Sequence, residues 1–230
     1  MKRALFSALF ASSLLLSSVA AVHAANVPIG PEKPDVKAGA MLYNEGDPAR
    51  GIVACITCHG PGGNSELPIN PNLAAMSHEY LYKQLVEFQP REDGSAPRRG
   101  PNGAPSVMTS LATPLTIQDM LNLSLYLSEQ PLTNPATASS EELVARGEEI
   151  WRGGIRERSV PACAACHGAN GEGIPSQYPR LSGQFASYIE EQMILFRAGH
   201  RGNSEMMIQI AARMSDADIK AVADYAAGLR

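Results

Sequence analysis

The chain has 230 residues and a formal net charge of −4 at neutral pH, with 19 Lys and Arg against 23 Asp and Glu. This mildly acidic balance argues against a nucleic-acid ligand and supplies no basic patch for anionic lipid. Aromatic residues make up only 6% of the chain, which favours small helical domains with a modest apolar core of their own.

The N-terminus has the pattern of an export signal. Lys2 and Arg3 precede apolar and small residues from Ala4 to Val22, and Val22-His23-Ala24 offers small residues at a signal-peptidase site. An uncleaved membrane anchor is the alternative, but the run is rich in Ser and Ala and barely long enough to span a bilayer. The sequence therefore predicts a signal peptide over 1–24 and a soluble, exported mature protein.

All four cysteines fall in two copies of one motif. Cys55-Ile56-Thr57-Cys58-His59 recurs as Cys163-Ala164-Ala165-Cys166-His167. C-x-x-C-H is the attachment signature of a c-type haem, in which the thiols add to the vinyl groups and the histidine ligates the iron. A zinc site would need a second ligand pair in the same small module, and a redox dithiol would be expected near a βαβ pattern. Two covalently bound haem c groups are the prediction, with zinc or a redox dithiol as the alternatives.

The motifs belong to an internal repeat, which predicts a duplicated domain. A constant shift pairs the halves up to Phe88 and Phe196, and a smaller shift pairs them from Met108 and Met207 onward. The extra residues of the first half fall in 89–107, which is rich in Pro, Gly and Arg and predicts an exposed loop. With a linker near 130–140, the predicted domains are 25–134 and 135–230.

Each half is predicted to contain three helices, and no segment alternates like a strand. The expected helices include Gly39–Tyr43, Ser77–Phe88 and Thr116–Ser128 in the first half, and Gly147–Trp151, Phe185–Arg197 and Ser215–Gly228 in the second. The predicted fold class is therefore all-α.

A closed haem site needs a second axial ligand opposite the histidine, and a methionine there raises the reduction potential. Met108 is the candidate in the first half, in a loop between the long insertion and the third helix. It pairs with Met207 in the repeat, and Met207 is preferred over its neighbour Met206 for that reason.

Other residues are candidates for supporting roles around the haems. The carbonyls of Pro71 and Pro179 could accept the Nδ1–H of His59 and His167, although both prolines could be ordinary loop residues. Three loop arginines are candidates for haem propionates, although such arginines are usually solvated: Arg98, Arg99 and Arg180.

These features together resemble the cytochrome c4 family. The resemblance is carried by the tandem motifs, by Pro71-Asn72-Leu73 and Pro179-Arg180-Leu181, and by a methionine before each final helix. It implies tandem class I cytochrome c domains related by an approximate twofold, with His/Met ligation of both irons by His59, Met108, His167 and Met207. The chain departs from the family at Ala75, where relatives have glycine in a Leu-x-Gly-Gln turn. The cost of this alanine depends on the sign of its φ angle.

The resemblance also implies a function. A periplasmic protein of this kind passes single electrons from a respiratory donor to a terminal oxidase by transient docking, peripheral to the membrane and without a small-molecule substrate. It is not an enzyme, since two six-coordinate irons leave no position for a substrate. The alternatives are a cytochrome subunit of a dehydrogenase or oxidase complex and, less favoured, a dihaem redox enzyme such as a peroxidase.

Overall fold

The computed structural model describes residues 31–230, so the predicted signal peptide over 1–24 lies outside the described residues. Within this range the regular elements are helices joined by loops and short turns, and the all-α prediction is confirmed. The α-helices of the first half are α1 (Val36–Glu45), α2 (Ile56–His59), α3 (His78–Phe88), α4 (Val107–Ala112) and α5 (Ile117–Ser128). Those of the second half are α6 (Glu141–Gly153), α7 (Ala164–His167), α8 (Ala186–Arg197), α9 (Glu205–Ala211) and α10 (Asp216–Gly228).

The expectation of three helices in each half is wrong, because each half adds two short ones. The additional helices are α2, α4, α7 and α9, which have between four and seven residues. Hydrophobic periodicity needs a window of about 11 residues or more to be recognised, so helices this short give no such signal. Met108 and Met207 consequently lie on short helices, whereas the sequence placed Met108 in a loop.

In each half the first long helix crosses the last one at a glycine. A Cβ atom on Gly39 would lie 2.1 Å from the carbonyl oxygen of Asn122 in α5, and one on Gly147 would lie 2.3 Å from that of Ala221 in α10. Only a residue without a side chain permits so close an approach of two backbones. This crossing buries the aromatic residue one turn later in the first helix, Tyr43 or Trp151.

Each half has its own apolar core. The first core is built on Tyr43 and Met120, and Cys55 and Met108 pack at its edge. The second core has the same arrangement: Trp151 and Ile219 are fully buried, and Cys163 and Met207 are partly buried beside them. The cysteine and the methionine of each half therefore reach the same core.

The last helix of the second half begins with a buried ion-paired cap. Ser215 and Asp218 form a capping box, and the carboxylate of Asp218 also accepts from Arg146 (2.9 Å) and Arg158 (2.6 Å). Burial acts to raise the pKa of Asp218, but the hydrogen bonds from Ser215, Arg158 and Arg146 outweigh it and hold the pKa well below its ordinary value.

A carboxyl group whose pKa is lowered by folding stabilises the protein above its unfolded pKa of about 3.9 and loses that contribution as the pH falls through the folded value. The free energy of unfolding is therefore expected to decrease as the pH is lowered below about 4. Asp218→Asn should cost about 2 kcal/mol at neutral pH and flatten this acid dependence. Denaturant unfolding at several pH values measures both effects. Asp216→Asn, on the same helical turn but 82% exposed, is the matched control and should leave the pH profile unchanged.

The two halves are joined by a segment without helix between α5 and α6 and by buried hydrogen bonds. The backbone N–H of Asn72 donates to Oε1 of Gln184 (2.9 Å), and Nε2 of Gln184 donates back to the carbonyl of Asn72 (2.8 Å). The Asn72 side chain also donates to the carbonyl of Gly183 (3.2 Å). The loop that follows the Cys55–His59 motif is thereby tied to the equivalent loop of the second half.

Ala75 occupies a left-handed backbone position in this junction. Its φ is +58°, and the equivalent Gly183 has a φ of +72°. Ala75 therefore places a Cβ at a position where the left-handed conformation costs roughly 1–2 kcal/mol.

Ala75→Gly is expected to raise the free energy of unfolding by about 1 kcal/mol, as measured by denaturant or thermal unfolding. Gly183→Ala is the reciprocal control and should destabilise by more. A Cβ there would meet Leu132 at 2.8 Å and Pro135 at 2.9 Å in addition to the strained φ. A destabilised Ala75→Gly variant would contradict the strain at this turn.

Candidate haem sites

The histidine of each motif is buried and oriented by a proline carbonyl. His59 and His167 end the single-turn helices α2 and α7. The Nδ1–H of His59 donates to the carbonyl of Pro71 at 3.0 Å, and that of His167 donates to the carbonyl of Pro179 at 3.0 Å. The predicted proline contacts are thus confirmed. Because a carbonyl can only accept, Nδ1 carries the proton and Nε2 keeps its lone pair for a metal.

The protonation of these rings suits ligation. Burial lowers the pKa of His59 and of His167, and the proline carbonyl opposes this only in part. The imidazoles are therefore neutral at physiological pH, which is the form that binds a metal ion.

The first thiol of each motif lacks the low pKa of a redox dithiol. Among the described residues no disulfide joins the cysteines, and burial raises the pKa of the Cys55 thiol to about 11 and that of the Cys163 thiol to about 12. Catalytic dithiols instead have a pKa lowered to between about 3.5 and 7.5. Within residues 31–230, no group of three or more His, Cys, Asp or Glu side chains could hold a metal ion. The described residues therefore supply no second ligand pair of the kind that a zinc site would need.

Met108 and Met207 occupy equivalent positions on α4 and α9. Each helix begins at a serine whose hydroxyl accepts the methionine N–H, from Met108 to Ser106 (3.2 Å) and from Met207 to Ser204 (3.4 Å). Met206 is 51% exposed, like its counterpart Val107 at 78%. Of the two adjacent methionines, Met207 is the one that packs on the core with Cys163.

An aromatic residue ties the first helix of each half to the backbone just after the motif. The hydroxyl of Tyr43 donates to the carbonyl of Gly60 at 2.7 Å, and Nε1 of Trp151 donates to the carbonyl of Ala169 at 3.2 Å. The Trp151 ring centroid lies 6.4 Å from that of His167. These contacts hold α2 and α7 against the cores of their own halves.

The donor set fits haem c in both halves. Each provides two thiols on one helical turn, a neutral imidazole with one nitrogen available, and a thioether on the same apolar core. Donors of this kind beside an apolar core suit a covalently attached, low-spin haem.

Sequence reasoning missed one buried residue, Arg201. It lies opposite Arg98 across the junction of the two halves, and both are buried. The first half has extra residues on both sides of Arg98, which hide the correspondence from a search at constant shift. The expectation that loop arginines are solvated is wrong for Arg98 and holds for Arg99, which is exposed. Arg98 lies 10 residues after Phe88 and Arg201 lies 5 residues after Phe196, so the spacing gave no signal for the pair.

The fold and donor set define a protein of two tandem cytochrome c domains. The family model described as Cytochrome c matches residues 36–131 and 144–229. A cytochrome c4 from Thiocapsa roseopersicina is 42% identical over 80% of this chain and 93% of the relative. A thiosulfate dehydrogenase electron acceptor from Thiomonas intermedia is 35% identical over 76% of this chain and 77% of the relative.

A solved structure agrees with these relatives. The reduced recombinant cytochrome c4 from Pseudomonas stutzeri superimposes with a TM-score of 0.71 at 33% identity, covering 86% of this chain and all of the other. The chain belongs to the cytochrome c4 family. It carries two covalently bound haem c groups, as the motifs predicted.

Proposed function

We propose that this protein is a periplasmic electron carrier that passes single electrons from a respiratory donor to a terminal oxidase. We further propose that His59 and Met108 ligate one iron and that His167 and Met207 ligate the other. Cys55, Cys58, Cys163 and Cys166 would form the thioether bonds, within domains spanning 25–134 and 135–230.

One observation carries the proposal: each half presents the same candidate donors, a buried histidine and a methionine, beside its own apolar core. In each half a proline carbonyl holds the imidazole, and a serine-capped short helix carries a methionine on the same core. If these residues held each iron from both sides, no place would be left for a substrate on the metal, which favours a carrier over an enzyme.

The protein residues have a supporting part in this chemistry. When bound, the haem supplies the one-electron couple. The carbonyls of Pro71 and Pro179 keep each imidazole in one tautomer and one orientation. Burial excludes water from both histidines, which limits the reorganisation that accompanies a change of charge.

Partner docking is expected to be transient and sensitive to salt. Carrier encounters sit at the low end of interface size, and the acidic chain favours partners with basic patches. Within the described residues, no helix is long and apolar enough to cross a membrane.

A second candidate keeps the chemistry and changes the donor. The similarity to a thiosulfate dehydrogenase electron acceptor favours a role as acceptor for a dehydrogenase, either free or as a bound subunit. A dihaem enzyme such as a peroxidase is less favoured, because such an enzyme needs an open or replaceable position at one iron.

Spectroscopy, rapid kinetics and mass spectrometry test the proposal. The native reduced protein should show two low-spin haems and bind no CO, whereas rapid CO binding would contradict a closed carrier. Stopped-flow mixing should then show rapid oxidation of the reduced protein by a terminal oxidase. Fast reduction by thiosulfate dehydrogenase together with slow oxidation by the oxidase would favour the second candidate. The mass of the mature protein checks cleavage after Ala24.

A further inference from the structure

The two domains also meet around a pair of arginines that follow equivalent helices, α3 and α8. The loops that carry Arg98 and Arg201 pair in antiparallel fashion. The N–H of Arg99 donates to the carbonyl of His200 (2.9 Å), and that of Gly202 donates to the carbonyl of Pro97 (2.7 Å). Arg98 and Arg201 are each only 6% exposed. Two cations are therefore buried at the domain junction.

The contacts of the two guanidinium groups are reciprocal. Arg98 donates to the side-chain oxygens of Gln84 (3.0 Å) and Gln192 (2.9 Å), and Arg201 donates to the same two oxygens (3.2 and 2.8 Å). Each guanidinium also donates to a tyrosine hydroxyl of the other domain, Arg98 to Tyr188 (3.3 Å) and Arg201 to Tyr80 (3.0 Å). Reciprocal contacts of this kind are the mark of a twofold interface.

Neither guanidinium pairs with a carboxylate of the described residues. Their acceptors are amides and phenols, and the carboxylate of Glu87 binds Lys83 and Asn203 instead. Burial, together with the neighbouring guanidinium of Arg201, lowers the pKa of Arg98. Two buried like charges that share their acceptors are costly without a counter-charge.

Each guanidinium also lies against a phenylalanine ring of one apolar core. Arg98 lies 4.1 Å from the ring centroid of Phe88, and Arg201 lies 4.4 Å from that of Phe196. Phe88 belongs to the core that Cys55 and Met108 border, and Phe196 belongs to the core bordered by Cys163 and Met207. The pair is therefore in contact with the apolar cores of both domains, which the candidate haem-binding cysteines and methionines border.

We propose that Arg98 and Arg201 form one shared carboxylate-binding site for the propionate groups of both haems, so that each arginine acts on the haems of both domains. The propionates are the anions that this protein acquires with its cofactors, and a guanidinium matches a carboxylate in charge and in geometry. Arg98 uses three of its five N–H donors and Arg201 uses four. The proposal rests on the two haems and is independent of the donor and the oxidase.

The shared site has a consequence for the reduction potentials. A buried positive charge destabilises the ferric state relative to the ferrous state. The arginine pair should therefore raise the reduction potentials of both haems. It should also keep the propionates ionised throughout the neutral pH range. Other titratable groups around the pair are Tyr80, Lys83 and Glu87 of α3, Tyr188 and Glu191 of α8, and Arg99 and His200 of the two loops.

Spectroelectrochemical titration of the holoprotein from about pH 5 to about pH 9 tests the proposal. Arg98→Gln and Arg201→Gln should each lower the potentials of both haems. In the double variant both potentials should become pH-dependent and fall as the pH rises, because the propionates then titrate near neutrality. Arg98→Lys keeps the positive charge, so both haems of this variant should retain most of the native reduction potential. Arg99→Gln, at the exposed neighbouring arginine, is the matched control and should behave like the native protein.

Three outcomes would overturn the proposal. If Arg98→Gln lowers the melting temperature but leaves both potentials and their pH profile unchanged, the pair only joins the domains. If each substitution shifts only the haem of its own domain, the site is not shared. Burial acts to raise the pKa of Tyr188, but the two guanidinium groups outweigh the effect of burial and lower this pKa. If Tyr188→Phe reproduces the double variant, the counter-charge is therefore this phenolate and not a propionate.

Discussion

Met108→Ala is expected to open the haem of the first domain alone, and Met207→Ala that of the second domain alone. Each variant should show one high-spin haem and bind one CO per protein, because alanine cannot supply the thioether ligand. The potential of the altered haem should fall on the order of 0.1 V, within the ~0.8 V range that axial ligands span. Absorption spectra, CO titration and a redox titration measure these changes.

The chain offers a matched control for each methionine. Met206→Ala should leave both haems low-spin, because Met206 is exposed whereas Met207 packs on the core. Met76, a buried core residue of the first domain, should likewise be replaceable without a change of spin state. CO binding by Met206→Ala, together with a closed Met207→Ala variant, would reverse the assignment in the second domain.

Gly147→Ala is expected to destabilise the second domain by about 3 kcal/mol or more. The added Cβ would lie 2.3 Å from the carbonyl oxygen of Ala221 and 2.5 Å from Cβ of Tyr225. Backbone atoms at the centre of a helix crossing cannot move aside, so α6 and α10 would have to separate. Denaturant unfolding with domain-specific probes, such as the Trp151 fluorescence of the second domain, measures the loss.

The same helix provides the control for this prediction. Gly153 is at the end of α6, and a Cβ there would meet no atom within 4 Å. Gly153→Ala should therefore be neutral, or stabilising by up to about 1 kcal/mol through helix propensity. Equal destabilisation by both substitutions would show that the crossing at Gly147 is looser than its geometry indicates.

The long helices and the cofactor could be predicted because their signals are local. The C-x-x-C-H motifs specify the attachment chemistry within five residues, and the helices around Tyr43 and Trp151 repeat at a constant shift. The short helices could not be predicted, since α4 and α9 are too brief for periodicity and depend on Ser106 and Ser204 as caps. The roles of Met108 and Met207 as ligands stay a prediction, and so do the domain boundaries.

The residues alone specify two haems, a duplicated all-α domain and one methionine at the same repeat position in each half. The attachment motif and the spacing of the repeat are local features that can be recognised directly in the sequence. Tertiary structure decided the rest. The positive φ of Ala75 depends on how its loop meets the other domain, and the burial of Arg98 depends on Arg201, 103 positions away in the sequence. Such contacts join residues distant in sequence, so neither composition nor periodicity can report them.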